Sequence, residues 1–99
     1  MSGQPPTPAP SNTVVLDVRS ADERANGYLE GSVPLDFNSG EFADALPGLD
    51  KHADYLVYCA AGGRAAQAAE QLREAGAASA ENLGSLEDAA RITGAAIVR

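Results

Sequence analysis

The side chains best placed to do chemistry lie together in Cys59-Ala60-Ala61-Gly62-Gly63-Arg64, a stretch that holds the only cysteine of the 99-residue chain. Before it runs the apolar Leu56-Val57-Tyr58, and after it the helix-forming AAQAAEQLREA of residues 65–75. A free thiol ionises near ~8.5, so a nucleophilic cysteine needs its anion stabilised. A change of two pKa units corresponds to about 2.7 kcal/mol. A helix dipole supplies roughly 0.3 to 1 kcal/mol, so main-chain N–H donors must provide the rest. Ala60, Ala61, Gly62 and Gly63 are small enough for their amides to turn inward as an anion-binding nest, with Arg64 adding a positive charge at the rim. The bland alternative is a buried small hydrophobe at a strand end followed by a turn. The order of strand, small-residue loop, arginine and helix favours the reactive thiolate.

The elements that must position this loop alternate in type. Val14 to Val18, VVLDV, reads as a buried strand. Ser20 is placed to cap a short helix over Ala21 to Ala25 that Gly27 ends. Ser32 to Leu35 reads as a weaker strand, Glu41 to Leu46 as a helical turn or two, and Tyr55 to Tyr58 as an apolar strand. Arg64 to Ala75 is the strongest helix, with Gly76 at its αL cap position. Ser79 to Leu83 reads as a strand, Leu86 to Ile92 as a helix and Ala95 to Val98 as an extended end. Such alternation predicts an α/β domain over residues 14–99, with a mainly parallel sheet of about four or five strands and helices on both faces. Sites in such sheets form where strands end and helices begin. Residues 1–13 hold four prolines and no aliphatic side chain larger than alanine; they read as a flexible leader.

Composition narrows the partners. Fourteen acidic against seven basic residues give a net charge of -7, which repels phosphate backbones and anionic lipid, so neither nucleic acid nor membrane is expected. One cysteine cannot form an internal disulfide, and with the single His52 it cannot form an ordinary four-ligand zinc site. His52 lies in a polar stretch and reads as exposed. Arg19 with Glu23 reads as a structural ion pair, and Arg24, Lys51, Glu70, Arg73 and Glu74 as surface charge. The expected state is a monomer. No compartment is assigned: the cytoplasm is the default, and the periplasm stays open if a signal peptide has been removed.

The loop Cys59 to Arg64 resembles the active-site loop of rhodanese domains. The likeness extends over nearly everything from Val14 onward. Leu16-Asp17-Val18-Arg19 resembles the family's Asp-Val-Arg signature, Gly27-Tyr28-Leu29-Glu30-Gly31-Ser32 its Gly-His-Ile-Pro-Gly-Ala stretch, and Asn82 to Asp88 its closing Gly-Gly-Leu segment. The chain is most similar to short single-domain rhodaneses of the phage-shock-protein E type. This resemblance implies a thiosulfate sulfurtransferase that uses no cofactor. Cys59 would take a sulfane sulfur from thiosulfate or a similar donor and pass it from a persulfide to cyanide or a thiol. Asp17 and Arg19 would help to hold the loop. Many thiosulfate-using members carry a basic residue directly after the cysteine, whereas Ala60 and Ala61 here leave Arg64 as the loop's only cation. Two rival readings are a low-turnover persulfide carrier or sulfur-sensing module for a protein partner, and a cysteine phosphatase. Four residues separate Cys59 from Arg64, against five in the related phosphatases, and the smaller ring suits sulfur better than a tetrahedral oxyanion.

Overall fold

A computed structural model describes residues 13–99. The leader expected over residues 1–13 lies outside the described residues except for Thr13, which opens the first strand. Strands β1 (Thr13–Asp17), β3 (Val33–Pro34), β4 (Asp54–Tyr58) and β5 (Ser79–Gly84) form one parallel sheet in the order β3-β1-β4-β5. Helices α1 (Ala21–Ala25), α2 (Glu41–Ala45), α3 (Gly63–Glu74) and α4 (Leu86–Thr93) connect or follow the strands. A 3-10 turn over Leu46–Gly48 extends α2. The expected α/β architecture is therefore present, with four strands in the main sheet.

Strand alternation sends side chains to two separate cores. From β1 and β4, Leu16, Tyr55 and Val57 face one side together with Val18 and Cys59, where they meet Phe42 and the α3 residues Ala65, Ala68, Ala69 and Leu72. Val15, Leu56 and Tyr58 face the other side and meet Leu29, Leu83 and Ala89. The buried positions of α3 repeat at the spacing of one helical face. Three of them are alanine, which lets the helix lie close on the sheet.

Chain direction changes at the centre of the sheet. β1 leads outward to β3 on one side, and β4 leads to β5 on the other. The crevice at the C-terminal ends of β1 and β4 is thus the topological switch point, where α/β sheets bind ligands. Asp17 and Tyr58 are paired in register at that edge. Between β4 and β5 the register slips, with Val57 opposite Asn82 but Tyr58 opposite Gly84. The extra residue in β5 bends its end toward the crevice.

Several boundaries differ from the sequence reading. The strand expected over Ser32 to Leu35 is reduced to Val33–Pro34, both exposed, because proline cannot continue the ladder. Tyr28–Leu29 forms an unexpected strand, β2, paired antiparallel with β6 (Ile97–Val98). Leu29 is fully buried there, so this two-residue pairing is held by packing under α4. Ser20 caps α1 as expected, in a reciprocal capping box with Glu23, and Ser85 forms a second, unexpected box with Asp88 at the start of α4.

Replacing Ala68, fully buried between α3 and the sheet, by leucine is expected to lower the unfolding free energy by about 1 to 3 kcal/mol through overpacking. Urea titration reads the effect, and an unchanged midpoint would count against close helix-sheet contact.

Candidate active site

Cys59 leaves the end of β4 with 1% of its surface exposed, and its own amide donates to the Gly84 carbonyl at 3.0 Å. Two main-chain amides reach its sulfur: Gly62 at 3.0 Å and Ala65 at 3.4 Å. A thiol sulfur is a weak acceptor and a thiolate a full one, so donors aimed in this way suit the anion. Of the four loop amides expected around the sulfur, those of Ala60, Ala61 and Gly63 make no hydrogen bond to it among the described residues; Gly62 does, and the second donor is Ala65, in the first turn of α3. Ala65 was absent from the expected set. Gly62 must carry a positive φ of 102° to present its N–H while capping α3.

The loop is clamped from β5. Asn82 donates through Nδ2 to the Gly62 carbonyl at 3.0 Å and accepts the Gly84 amide at 2.8 Å. A Cβ on Gly62 would stand 3.5 Å from the Gly84 backbone and 3.7 Å from this amide. Asn82 escaped the sequence reading as a site residue; its signal was an asparagine two residues before a glycine at a strand end.

Beneath the loop, on the opposite face of the sheet, lies a charged network centred on Asp17. Its fully buried carboxylate accepts from the Arg19 amide at 3.0 Å, Arg19 Nε at 2.9 Å and Arg19 Nη2 at 2.9 Å. It also accepts from Arg24 Nη1 at 3.1 Å and the Tyr58 hydroxyl at 3.0 Å. Burial alone would raise the pKa of Asp17, but the hydrogen bonds and charge of Arg19 outweigh it and hold the carboxyl below its ordinary value. Burial holds the Tyr58 phenol above its ordinary value, so it stays protonated and gives its hydrogen to Asp17. The same oxygen accepts the Leu29 amide at 3.0 Å. Asp17 and Arg19 thus meet the loop through Tyr58, the residue before the cysteine.

Two expectations about the arginines need correction. Arg24 is no free surface charge: it bonds Asp17 and Ser32 and stacks over the Tyr28 ring at 4.1 Å. Glu23 is paired with Arg64 rather than with Arg19, because Arg19 folds back onto Asp17. Both oxygens of Glu23 take a bond from the Arg64 guanidinium, at 2.8 and 3.0 Å. That pair, against a smaller opposing effect of burial and with help from Ser20, depresses Glu23 from 4.5 to about 2. His52 is exposed as expected, and among the described residues no group of histidine, cysteine and carboxylates could hold a metal ion.

A cleft of about 770 Å³ opens among α1, β3 and α2, lined by Arg19, Arg24 and Tyr28 and by Asp36, Glu41 and Asp44, and by no residue of the Cys59–Arg64 loop.

This geometry agrees with comparisons to known proteins. Residues 8–91 match the rhodanese-like domain family. Thiosulfate sulfurtransferase PspE of Escherichia coli is 36% identical over 77 residues, covering 76% of this chain and 72% of that protein. The crystal structure of the rhodanese-like domain of Anabaena Alr3790 superposes with a TM-score of 0.72 at 25% identity, covering 88% of this chain and 99% of that one. An E. coli rhodanese with anions gives 0.64 at 32% identity, covering 77% and 89%. The chain belongs to the rhodanese-like domain family and, with it, to the sulfurtransferases.

Removing the Tyr58 hydroxyl in Tyr58→Phe leaves the Leu29 amide without its acceptor, and is expected to cost about 1 to 3 kcal/mol in chemical denaturation. The Glu23 pair makes a separate expectation about acid. Because the folded pKa is depressed, the contribution of Glu23 is present in full above 4.5 and is lost as pH falls toward 2. Melting temperatures of the wild type and Glu23→Gln should therefore converge across that window, and a constant gap would rule the linkage out.

Proposed function

We propose that this protein moves a sulfane sulfur from thiosulfate or a similar donor, through a persulfide on Cys59, to cyanide or a thiol acceptor. The observation that carries the reading is the pair of amides, from Gly62 and Ala65, directed at the Cys59 sulfur. In the first half-reaction the thiolate attacks the outer sulfur of the donor. With thiosulfate the S–S bond breaks, its electron pair leaves with sulfite, and Cys59 keeps the outer sulfur as a persulfide anion. In the second, an acceptor nucleophile attacks that terminal sulfur, and Cys59 departs as the thiolate. Cyanide becomes thiocyanate and a thiolate becomes a persulfide. No electron is supplied from outside, and no proton transfer is needed from a general base. The Gly62 and Ala65 amides serve as the fixed donors that hold the leaving thiolate at the end of each cycle. Ala60, Ala61 and Gly63 keep the loop free of bulk, and Arg64 stands at its rim. Asp17 and Arg19 support the loop from below through Tyr58.

Similarity to a relative named thiosulfate sulfurtransferase supports the donor class. The phosphatase reading is disfavoured by the four-residue spacing between Cys59 and Arg64, and by the engagement of Arg64 with Glu23. The near-complete burial of Cys59 favours one further reading, a persulfide carrier with slow turnover toward small acceptors. Fast sulfur transfer to a protein thiol, combined with slow steady-state transfer to cyanide, would select it.

Intact-mass spectrometry tests the central claim. Incubation with thiosulfate is expected to add the mass of one sulfur atom, to lose it on addition of cyanide, and to leave Cys59→Ser unchanged. A folded wild type that gains no sulfur from any sulfane donor would overturn the proposal.

A further inference from the structure

Arg64 is the only cation of the loop and stands in sequence between the two residues whose amides hold the Cys59 sulfur. Its charge is already engaged. Glu23 takes both of its outer nitrogens in a bidentate pair at 2.8 and 3.0 Å. Glu23 is in turn held by α1: the Ser20 amide donates to Glu23 Oε1 at 2.9 Å, and the Glu23 amide donates to Ser20 Oγ at 3.2 Å. The carboxylate cannot swing aside without opening that cap. After Glu23, the charge of Asp36 also helps to hold the Arg64 pKa above its ordinary value, and Asp36 lines the same cleft as Glu41 and Asp44. An incoming anion therefore meets a guanidinium already neutralised by Glu23.

We propose that Glu23 is a specificity-determining residue. By engaging Arg64 it sets the site against a doubly charged donor such as thiosulfate and in favour of a sulfane sulfur carried on a singly charged donor, an alkyl persulfide or thiosulfonate. The inference rests on the sulfur-transfer reading of Cys59. The chemistry is the same for each donor: the thiolate bonds the outer sulfur, the S–S bond breaks, and its electron pair leaves with sulfite, an alkanesulfinate or an alkanethiolate.

Thiosulfate and methanethiosulfonate make the test sharp, since they differ by one methyl group for one oxygen and hence by one charge. Persulfide loading is followed by intact mass over a range of donor concentrations, and each rate is normalised to the same donor's rate with a free low-molecular-weight thiol. The wild type is expected to prefer methanethiosulfonate. Glu23→Gln, which keeps the shape and removes the charge, should shift the ratio toward thiosulfate by about five-fold, the effect of one charge at short range under the high effective dielectric of a surface site. The shift should appear in KM for thiosulfate. Glu23→Asp, which keeps the charge, should hold the wild-type ratio. An unchanged ratio in Glu23→Gln, or an equal shift in Glu23→Asp, would overturn the inference and leave sulfur transfer standing. If neither variant folds, the wild-type ratio decides, and absence of a preference for the singly charged donor overturns it. Failure of the wild type to load from either donor would overturn both.

Discussion

A buried negative charge at the end of β1 fixes the geometry of the rest of the site. Asp17 is sealed from solvent, and a carboxylate in that position persists only if its oxygens are satisfied. Five donors satisfy them, from Arg19, Arg24 and Tyr58. Each of the three donor residues brings a different part of the chain to the same point. Arg19 continues to the Gly27 carbonyl at 2.7 Å, and Arg24 to the Ser32 carbonyl and hydroxyl, so the segment carrying β2 is tied beside α1. Tyr58 brings in β4. Since adjacent residues of a strand face opposite ways, fixing the Tyr58 ring on one side of the sheet fixes the direction of Cys59 on the other.

Above the sheet the arrangement is held in a second way, by main-chain groups. The sulfur takes amides from Gly62 and from the first turn of α3, while the Cys59 amide is held by Gly84. Gly84 faces Tyr58 only because the β4–β5 register slips by one residue. The same slip sets Asn82 to span Gly62 and Gly84. A loop of small residues has little packing of its own to rigidify it. Its shape is accordingly imposed by the helix that follows and the strand end beside it.

Much of this was legible in the sequence, and the physical reasons for success and failure separate cleanly. Elements with strong local signals came out close to their observed bounds: the alanine-rich α3 before Gly76, the Ser20 cap, and the apolar β1 and β4. Cys59 stood out because its flanking residues were of one chemical kind over a short span. Tertiary pairing was hidden. β2 and β6 are two residues each and exist through contact with one another and with α4, which no local pattern announces. The arginines show the same limit. By spacing Arg19, four residues before Glu23, is its natural partner, while Arg64 lies 41 residues away and no local pattern points to it. Their assignment follows from Asp17, whose buried charge claims Arg19 and Arg24 and leaves Arg64 to Glu23.

The two carboxylates of the site thus do different physical jobs, and their exposure says which. Asp17 is wholly buried, so the strength of its bonds is felt at low dielectric and removing a partner strands a charge. Such a group is suited to support and unsuited to exchange. The side chain of Glu23 is 34% exposed and that of Arg64 22%. Water screens that pair, and an ion pair in such a place contributes little net stability. Its effect is therefore on the charge that an incoming group meets rather than on the stability of the fold. The buried network below the sheet thus fixes position, while the Glu23–Arg64 pair beside the loop sets charge.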